Sequence, residues 1–449
     1  MIFRTISLVL LIAAFFHNPM AFSAQFNFMP RATATSEYTD NVDLTKNDKQ
    51  DDFIIVVGAG FTASLLGKTS GAELSFDQSY AFYDENTAND AWRIPLDFRA
   101  WTSPSKKTNL EFTNNFLLTE DPVSREILTA QDGGVEETGD TTVRTGRNQF
   151  YRNTARFRAS HQFGREDRVY AGFLYGLLRN DDDQVQDNDE YRANAGINYW
   201  FTHRFGSQFS GAYTRGEFDQ QSAFQGQPTP DFNNWLGSLR LLGRVSRHFS
   251  LFFQYDQIYR NFTSGDANNY YVYAPSAGFT YNITKDMYSR LGLGYFYQDI
   301  KNESNQNNPF LNAEISKAWN YRRGSIDLTG LAGLTQNNFG AQSNFDFQQF
   351  VAIQGSAKYD FTRKLFGDTG AFYRFAFTPQ REDRGDEDDL ITNQIQFRLG
   401  LSYLPLKWMT WRLGYEFNTY SSSEGDFDDY TENRALLTIT LAPDQPWRF

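Results

Sequence analysis

Arginine recurs at alternate positions along many stretches of the chain. Arg152, Arg156 and Arg158 share one parity, opposite Ala155, Phe157 and Ala159. Arg192, Arg240, Arg244, Arg290, Arg374, Arg398, Arg412 and Arg434 stand likewise beside apolar residues, and Arg93 and Arg99 alternate with Ile94, Leu96 and Phe98. A guanidinium presents a planar fork of donors that fits carboxylate, sulfate or phosphate. Rings of Arg or Lys are one device by which pores select anions. The same parity carries the acids Asp97, Glu111, Glu314, Asp327 and Glu416. A structural lattice of Arg–carboxylate pairs is therefore the competing reading. The arginines outnumber these acids, which keeps an anion-selective lining in play, with Arg156, Arg158, Arg192, Arg240, Arg244, Arg290, Arg374, Arg398 and Arg412 as its candidate residues.

Other chemistry is sparse. Cysteine is absent, which excludes disulfides, thiolate metal sites and cysteine nucleophiles. Of the 4 histidines, His17 lies in the N-terminal apolar segment, His203 and His248 fall in expected turns, and His161 just before one. None is placed beside a Ser or Asp as a hydrolytic site requires. Asp181, Asp182, Asp183, Asp187 and Asp189 form an acidic run without the glycine and spaced glutamate of a calcium loop. Gly58 and Gly60 mimic part of a phosphate loop with no helix behind them. No enzymatic activity, cofactor or resident metal is expected.

What could position these arginines is a repeating unit of roughly ten residues that alternates apolar and polar. Ala193, Ala195, Ile197 and Tyr199 fall on one face; Arg192, Asn194, Gly196 and Asn198 fall on the other. Strand side chains have period 2, so each unit is a strand with one greasy and one wet face. About 18–20 such strands can be placed between Arg31–Tyr38 and Arg434–Leu441. Their connections sort by charge. Short basic ones include Lys106-Lys107, Gly164-Arg165, His203-Arg204, Arg247-His248, Lys285, Arg322-Arg323 and Arg363-Lys364. Longer acidic ones include Asp84–Asp90, Asp132–Asp140, Asp181–Glu190, Arg381–Asp389 and Glu424–Asp429, and the longest loop runs about Asp121–Gln149. Alternating short turns and long loops are the habit of a transmembrane barrel. A soluble sandwich would also alternate, yet would not sort its connections from end to end.

Composition agrees. Aromatics reach 17%, with 43 Phe and 25 Tyr, on a chain of net charge -12 and mean hydropathy -0.57. Many aromatics on a polar chain suit girdles at two membrane interfaces. Residues 1–24 resemble a secretory signal: Arg4, the apolar run Ile6–Phe16, and small residues near Ala21–Ala24. After it no apolar run approaches the ~20 residues a spanning helix needs. Membrane insertion then demands a closed barrel, because open edges are not viable in lipid. The expected organisation is a signal peptide at 1–24 and an all-β, antiparallel up-and-down barrel at 25–449, in the outer membrane of a Gram-negative bacterium. Its short turns would be periplasmic and its acidic loops extracellular. A lipid-facing arginine costs ~2–4 kcal/mol at the midplane, so the arginine parity must face the lumen.

The chain ends Pro446-Trp447-Arg448-Phe449, and a terminal aromatic resembles an outer-membrane assembly signal, carried by Trp447 and Phe449. With Ser36-Glu37-Tyr38-Thr39-Asp40-Asn41-Val42 and the hairpins throughout, the chain resembles the beta-barrel porin type 2 family of outer-membrane proteins. That resemblance implies an association with exopolysaccharide export and supplies no catalytic residues. The expected partners are outer-membrane lipid and lipopolysaccharide, the barrel assembly machinery and, by the resemblance, an anionic polysaccharide with periplasmic export components; nucleic acid is not among them. Two functions follow: a porin-like path for hydrophilic, anionic solutes, or a non-conducting surface scaffold or adhesin acting through acidic loops.

Overall fold

The computed structural model describes residues 25–122, 136–140, 146–181, 186–219, 230–265, 267–301, 305–339, 347–378, 390–423 and 429–449. The N-terminal segment 1–24 and most of the loop acids at 123–135, 182–185, 379–389 and 424–428 lie outside these residues. The chain forms a closed antiparallel up-and-down barrel of 20 strands. The first half of the wall contains β1 (Gln25–Thr39), β2 (Asp52–Leu66), β3 (Ser70–Tyr83), β4 (Ala91–Ser105), β5 (Thr108–Thr119), β7 (Phe150–Gln162), β8 (Arg168–Asn180), β9 (Asn188–Trp200), β10 (Phe205–Phe218) and β11 (Phe232–Arg244). The second half contains β12 (Phe249–Phe262), β13 (Tyr270–Thr284), β14 (Met287–Ile300), β15 (Gln306–Tyr321), β16 (Gly324–Phe339), β17 (Phe347–Asp360), β18 (Leu365–Thr378), β19 (Leu390–Leu406), β20 (Met409–Ser422) and β21 (Tyr430–Leu441). Two short strands are extra: β6 (Glu136–Asp140) within the longest loop and β22 (Trp447–Arg448) at the end.

The alternation read in the sequence is the alternation of the wall. On β12, Leu251 and Phe253 are 49% and 47% exposed while Phe252 and Gln254 are 5% and 1%. Large apolar side chains are bare on the outer face of nearly every strand, as a lipid-facing belt requires. At one end of the barrel the belt closes in a ladder of rings on the outer face, from Tyr213–Trp235 at 5.2 Å through Trp235–Tyr259 at 5.5 Å to Tyr259–Tyr271 at 4.4 Å. Their hydroxyls find partners on the next strand. Tyr213, Tyr295 and Tyr415 donate to Asn233, Asn307 and Asn433 at 2.7, 2.6 and 2.7 Å. A ring buried at a membrane interface with its hydroxyl satisfied is the stable arrangement for tyrosine.

Above this girdle one device recurs. The last N–H of an outgoing strand is accepted by an Asp or Asn of the loop that follows. Tyr83, Asn180, Phe218, Phe262 and Ser422 donate to Asp90, Asp187, Asp231, Asn269 and Asp429 at 2.7–2.8 Å. Part of the loop acidity is thus the chemistry of turning the chain, since Asx side chains mimic a backbone turn.

Three features interrupt the regular wall. The ring closes by β1 against β21, from Ala32↔Leu441 to Thr39↔Arg434, and then, after residues 442–446, by Trp447 against Phe28 and Arg448 against Asn27. The β15–β16 ladder stops at Ala313↔Ala332, although both strands continue outward. Finally, β6 pairs in parallel with the outer part of β16, from Thr335↔Glu136 to Phe339↔Asp140. The loop that carries β6 leaves the wall between β5 and β7, half-way round the ring from β16, so it reaches across the barrel.

Candidate functional site

The parity opposite the lipid belt faces the interior, and the arginines lie there. β7, β8 and β9 bring three together: Arg156 stands opposite Leu174, and Leu174 opposite Arg192, while Arg158 stands opposite Gly172, and Gly172 opposite Asn194. A recess of about 550 Å³ opens on this wall, lined by Arg158, Arg168 and Arg192 with Asn194, Asn198 and Tyr170. Its depth comes from missing side chains. A Cβ at Gly172 would lie 2.5 Å from Asn194 Oδ1, and one at Gly196 would lie 2.5 Å from Tyr170 Cζ. Glycine at 196 lets the Tyr170 ring lie flat along the wall. Glu111 also borders the recess, with its carboxylate taken up by Arg99 at 2.7 Å.

The other candidate arginines are spread round the ring and mostly engaged. Arg290 pairs with Glu314 at 2.8 Å. Arg412 forks onto Asp368 at 2.6 and 2.8 Å, bordering a second recess of about 360 Å³ that Lys358, Arg398 and Glu416 share; Arg398 faces Glu416 in register. Arg240 donates twice to Gln254 Oε1, at 2.8 and 2.5 Å, and lies over Phe252. Arg374 lies over Phe350. Arg244 sits at the turn end of β11, stacked 4.1 Å over Trp200, and bonds Glu166 at 2.8 Å. That hydrogen bond holds the Glu166 carboxyl below the usual carboxylate range. The wall thus carries Arg–carboxylate pairs in several places and a cluster of basic side chains on β7–β9.

A second constellation joins residues far apart in the sequence. Arg434 is 3% exposed and reaches Glu37, Asp121 at 3.0 Å and Glu432 at 3.9 Å. Arg93 joins Glu37 at 3.5 Å and Glu120 at 2.5 Å, and Tyr83 Oη donates to Glu120 at 2.7 Å. Arg147 approaches Asp121 at 3.4 Å and Glu432 at 3.6 Å, donates from Nε to Val42 O at 2.8 Å, and follows Gly146, whose N–H reaches Asp43 O at 2.7 Å. Glu120-Asp121 and Gly146-Arg147 are the two ends of the segment that carries β6. The network pins both ends to β1, β4 and β21. Opposite charges flanking the longest loop were the only sequence signal for it.

The remaining candidates resolve simply. Phe449 exchanges two backbone hydrogen bonds with Phe26, at 3.0 and 3.3 Å, and its ring lies 5.9 Å from that of Phe26; Trp447 lies 5.9 Å from Phe28. His161 Nδ1 meets Thr108 Oγ1 at 2.9 Å, and His248 Nδ1 meets Asn282 O at 2.9 Å. Of the acidic run, Asp187 caps β8 and Asp189 accepts from Tyr175 and Arg179 at 2.9 and 2.6 Å. Among the described residues no group of three or more acids and histidines is placed to hold a metal ion.

No family model matches the chain, and no curated protein matches it. Its fold is similar to that of solved outer-membrane barrels. A mutant of the ferric enterobactin receptor PfeA of Pseudomonas aeruginosa, in complex with enterobactin, aligns with a TM-score of 0.50 at 8% identity, over 93% of this chain and 81% of that one. The siderophore receptor PirA of Acinetobacter baumannii aligns at 0.48 and 9% identity, over 93% and 80%. OccK2 (OpdF) of Pseudomonas aeruginosa aligns at 0.39 and 12% identity, over 94% and 99%. At such identities the likeness is one of fold.

Proposed function

We propose that the barrel passes hydrophilic, anionic solutes across the outer membrane through its lumen. The observation that carries this reading is the recess on β7–β11, where Arg158, Arg168 and Arg192 converge among amides, hydroxyls and glycines. A solute carboxylate or sulfate meets charge-assisted donors there, and its hydroxyls meet Asn and Ser. The wall has 20 strands, between the 16–18 of porins with an aqueous channel and the 22 of barrels with a plugged lumen. The resemblance of Ser36–Val42 and of the terminal Trp447-Arg448-Phe449 to beta-barrel porin type 2 proteins supports an exported exopolysaccharide as the anionic solute, with periplasmic export components as partners.

Reversal potentials in a planar bilayer under a KCl gradient test it. Anion selectivity is expected, falling toward unity when Arg158, Arg168 and Arg192 are replaced together by Gln. Cation selectivity that the triple variant leaves unchanged overturns the proposal. A second reading, the non-conducting scaffold, is favoured by one observation: interior-facing Val272, Ala274 and Phe296 are fully buried, so the outer half of the lumen is filled on that side. A protein that inserts without conducting at any voltage selects it.

A further inference from the structure

Among the described residues, the wall strands part between β15 and β16. β15 and β16 are each 16 residues long, yet their ladder spans only Ala313–Tyr321 against Gly324–Ala332. The neighbouring ladders run on: β14 still pairs Gln298 with Gln306, and β17 pairs Gln348 with Thr335. A strand has two edges. β17 holds one edge of β16 at Thr335, so β6, which pairs there too, occupies the edge that β15 holds lower down. Among the described residues no strand pairs with that edge of 306–312.

Burial shows how the two sides of the gap lie. Alternation puts Leu331 on the interior face of β16, packed with Phe350, Ala352, Phe372 and Ala376. Leu334 points the other way, the direction in which Ile326 and Leu328 are 42% and 41% exposed to lipid. Leu334 is only 3% exposed, and it packs with Val272, Ala274, Phe296 and Phe310, which are interior-facing residues of β13–β15. The outer half of β16 therefore runs inside the barrel, behind β15. The wall overlaps there like the edges of a wrapped sheet. What closes it is apolar contact in place of a hydrogen-bonded ladder.

The depth of the gap is set by its flanks. It begins at Ala313, beside the lipid-exposed Leu311, and ends near Asn307, which accepts from the girdle tyrosine Tyr295. It thus spans the leaflet next to the long loops. The unladdered stretch of β15, seven residues at about 3.3 Å each, is roughly 20 Å long, the length of one extended acyl chain. Buried polar groups border it as well, Gln298, Gln306, Asn312 and Thr335. Gln298, fully buried between Phe296 and Ile300, has neither amide atom hydrogen-bonded. A buried amide without a partner raises the free energy of the closed arrangement and favours any state that supplies one.

We propose that the β15–β16 seam is a lateral portal that takes the acyl chain of a single-chain amphiphile from the outer leaflet into the barrel, with Gln298 hydrogen-bonding its polar end. The chain replaces Leu334 against Phe296 and Phe310, and the amide gains a partner. This site is separate from the basic recess and does not require the lumen to conduct ions.

The test is photolabelling of the protein in liposomes with dodecanoic acid bearing a diazirine, followed by mapping of adducts. Adducts are expected on the seam residues Phe296, Gln298, Phe310 and Leu334. Gln298→Leu removes the unpaired amide, favours closure and should cut seam labelling about fivefold or more. Labelling of the belt residues Leu239 and Phe253 should not change. Leu334→Ser loosens the closing contact and should raise seam labelling. A two-chain phospholipid with the same photogroup should label the belt alone. Adducts spread evenly round the belt, either variant leaving seam labelling as in the wild type, or the phospholipid labelling Phe296 as readily as the fatty acid does, each overturns the portal.

Discussion

Replacing Arg434 by Met probes how the loop that carries β6 is held. Methionine fills much of the same volume and removes the cation. Glu37, Asp121 and Glu432 then lose a guanidinium that lay within 3.9 Å of each. Breaking a buried ion pair by deleting one partner costs about 3–5 kcal/mol, because the other charge stays buried. Arg93 and Arg147 remain within 3.4–3.6 Å of the same three carboxylates. Their partial compensation puts the expected cost near the lower bound, about 3 kcal/mol. Arg412→Met is the matched control. The Arg412 and Asp368 side chains are 42% and 32% exposed, so water screens the pair and its loss should cost about 0–1 kcal/mol. Urea unfolding in lipid, followed by tryptophan fluorescence, measures both. Limited proteolysis reads the loop: with Asp121 no longer held to β21 through Arg434, cleavage between residues 121 and 147 should accelerate in R434M alone. Equal stability losses in the two variants, together with an unchanged digestion pattern, would refute the anchoring role.

Two further outcomes follow from contacts already described. Removing Phe449 deletes both backbone bonds to Phe26, and the level of barrel assembled in the outer membrane should fall; wild-type levels would contradict the closure role of the terminus. Gly196→Ala pushes a Cβ into the Tyr170 ring, an overpacking that should cost about 1–3 kcal/mol. The double variant with Tyr170→Ala should recover most of that loss, and strictly additive costs in a double-mutant cycle would show that the ring does not need the glycine.

Much of the wall was legible because burial on one face forces a period of two. The alternating segments, read as about 18–20, became the 20 wall strands, even where the ends moved. β1 begins at Gln25 and not Arg31, since residues near the rim lie beyond the hydrocarbon and need no strict alternation. Other features were illegible for physical reasons. Glu136-Glu-Thr-Gly-Asp140 has no strand propensity; it is extended because β16 offers an open edge. Arg434 and Glu37 are 397 residues apart, a distance no local pattern spans. The acidity of the loops was legible as composition, but its use by Asp90, Asp187, Asp231 and Asp429 to end strands needed coordinates. Arginine parity was forced by lipid. Whether a given guanidinium meets an acid, as Arg290 meets Glu314, or gathers with others, as Arg158 and Arg192 do, depends on register across strands and could not be read within one.

The closure of β1 on β21 also dictates an order of events. Thr35 and Thr438 share a hydrogen bond across 403 residues. Joining two points that far apart on a disordered chain costs about 5 kcal/mol by the logarithmic law of loop entropy, far more than one such bond returns. The two ends cannot find each other first. Hairpins have to zip in sequence until the growing sheet carries β21 round to β1, and that pairing seals the ring. Until that moment β1 and the newest strand are both bare edges, able to pair with any other chain. The vulnerable species in the life of this protein is therefore the almost finished, unsealed sheet.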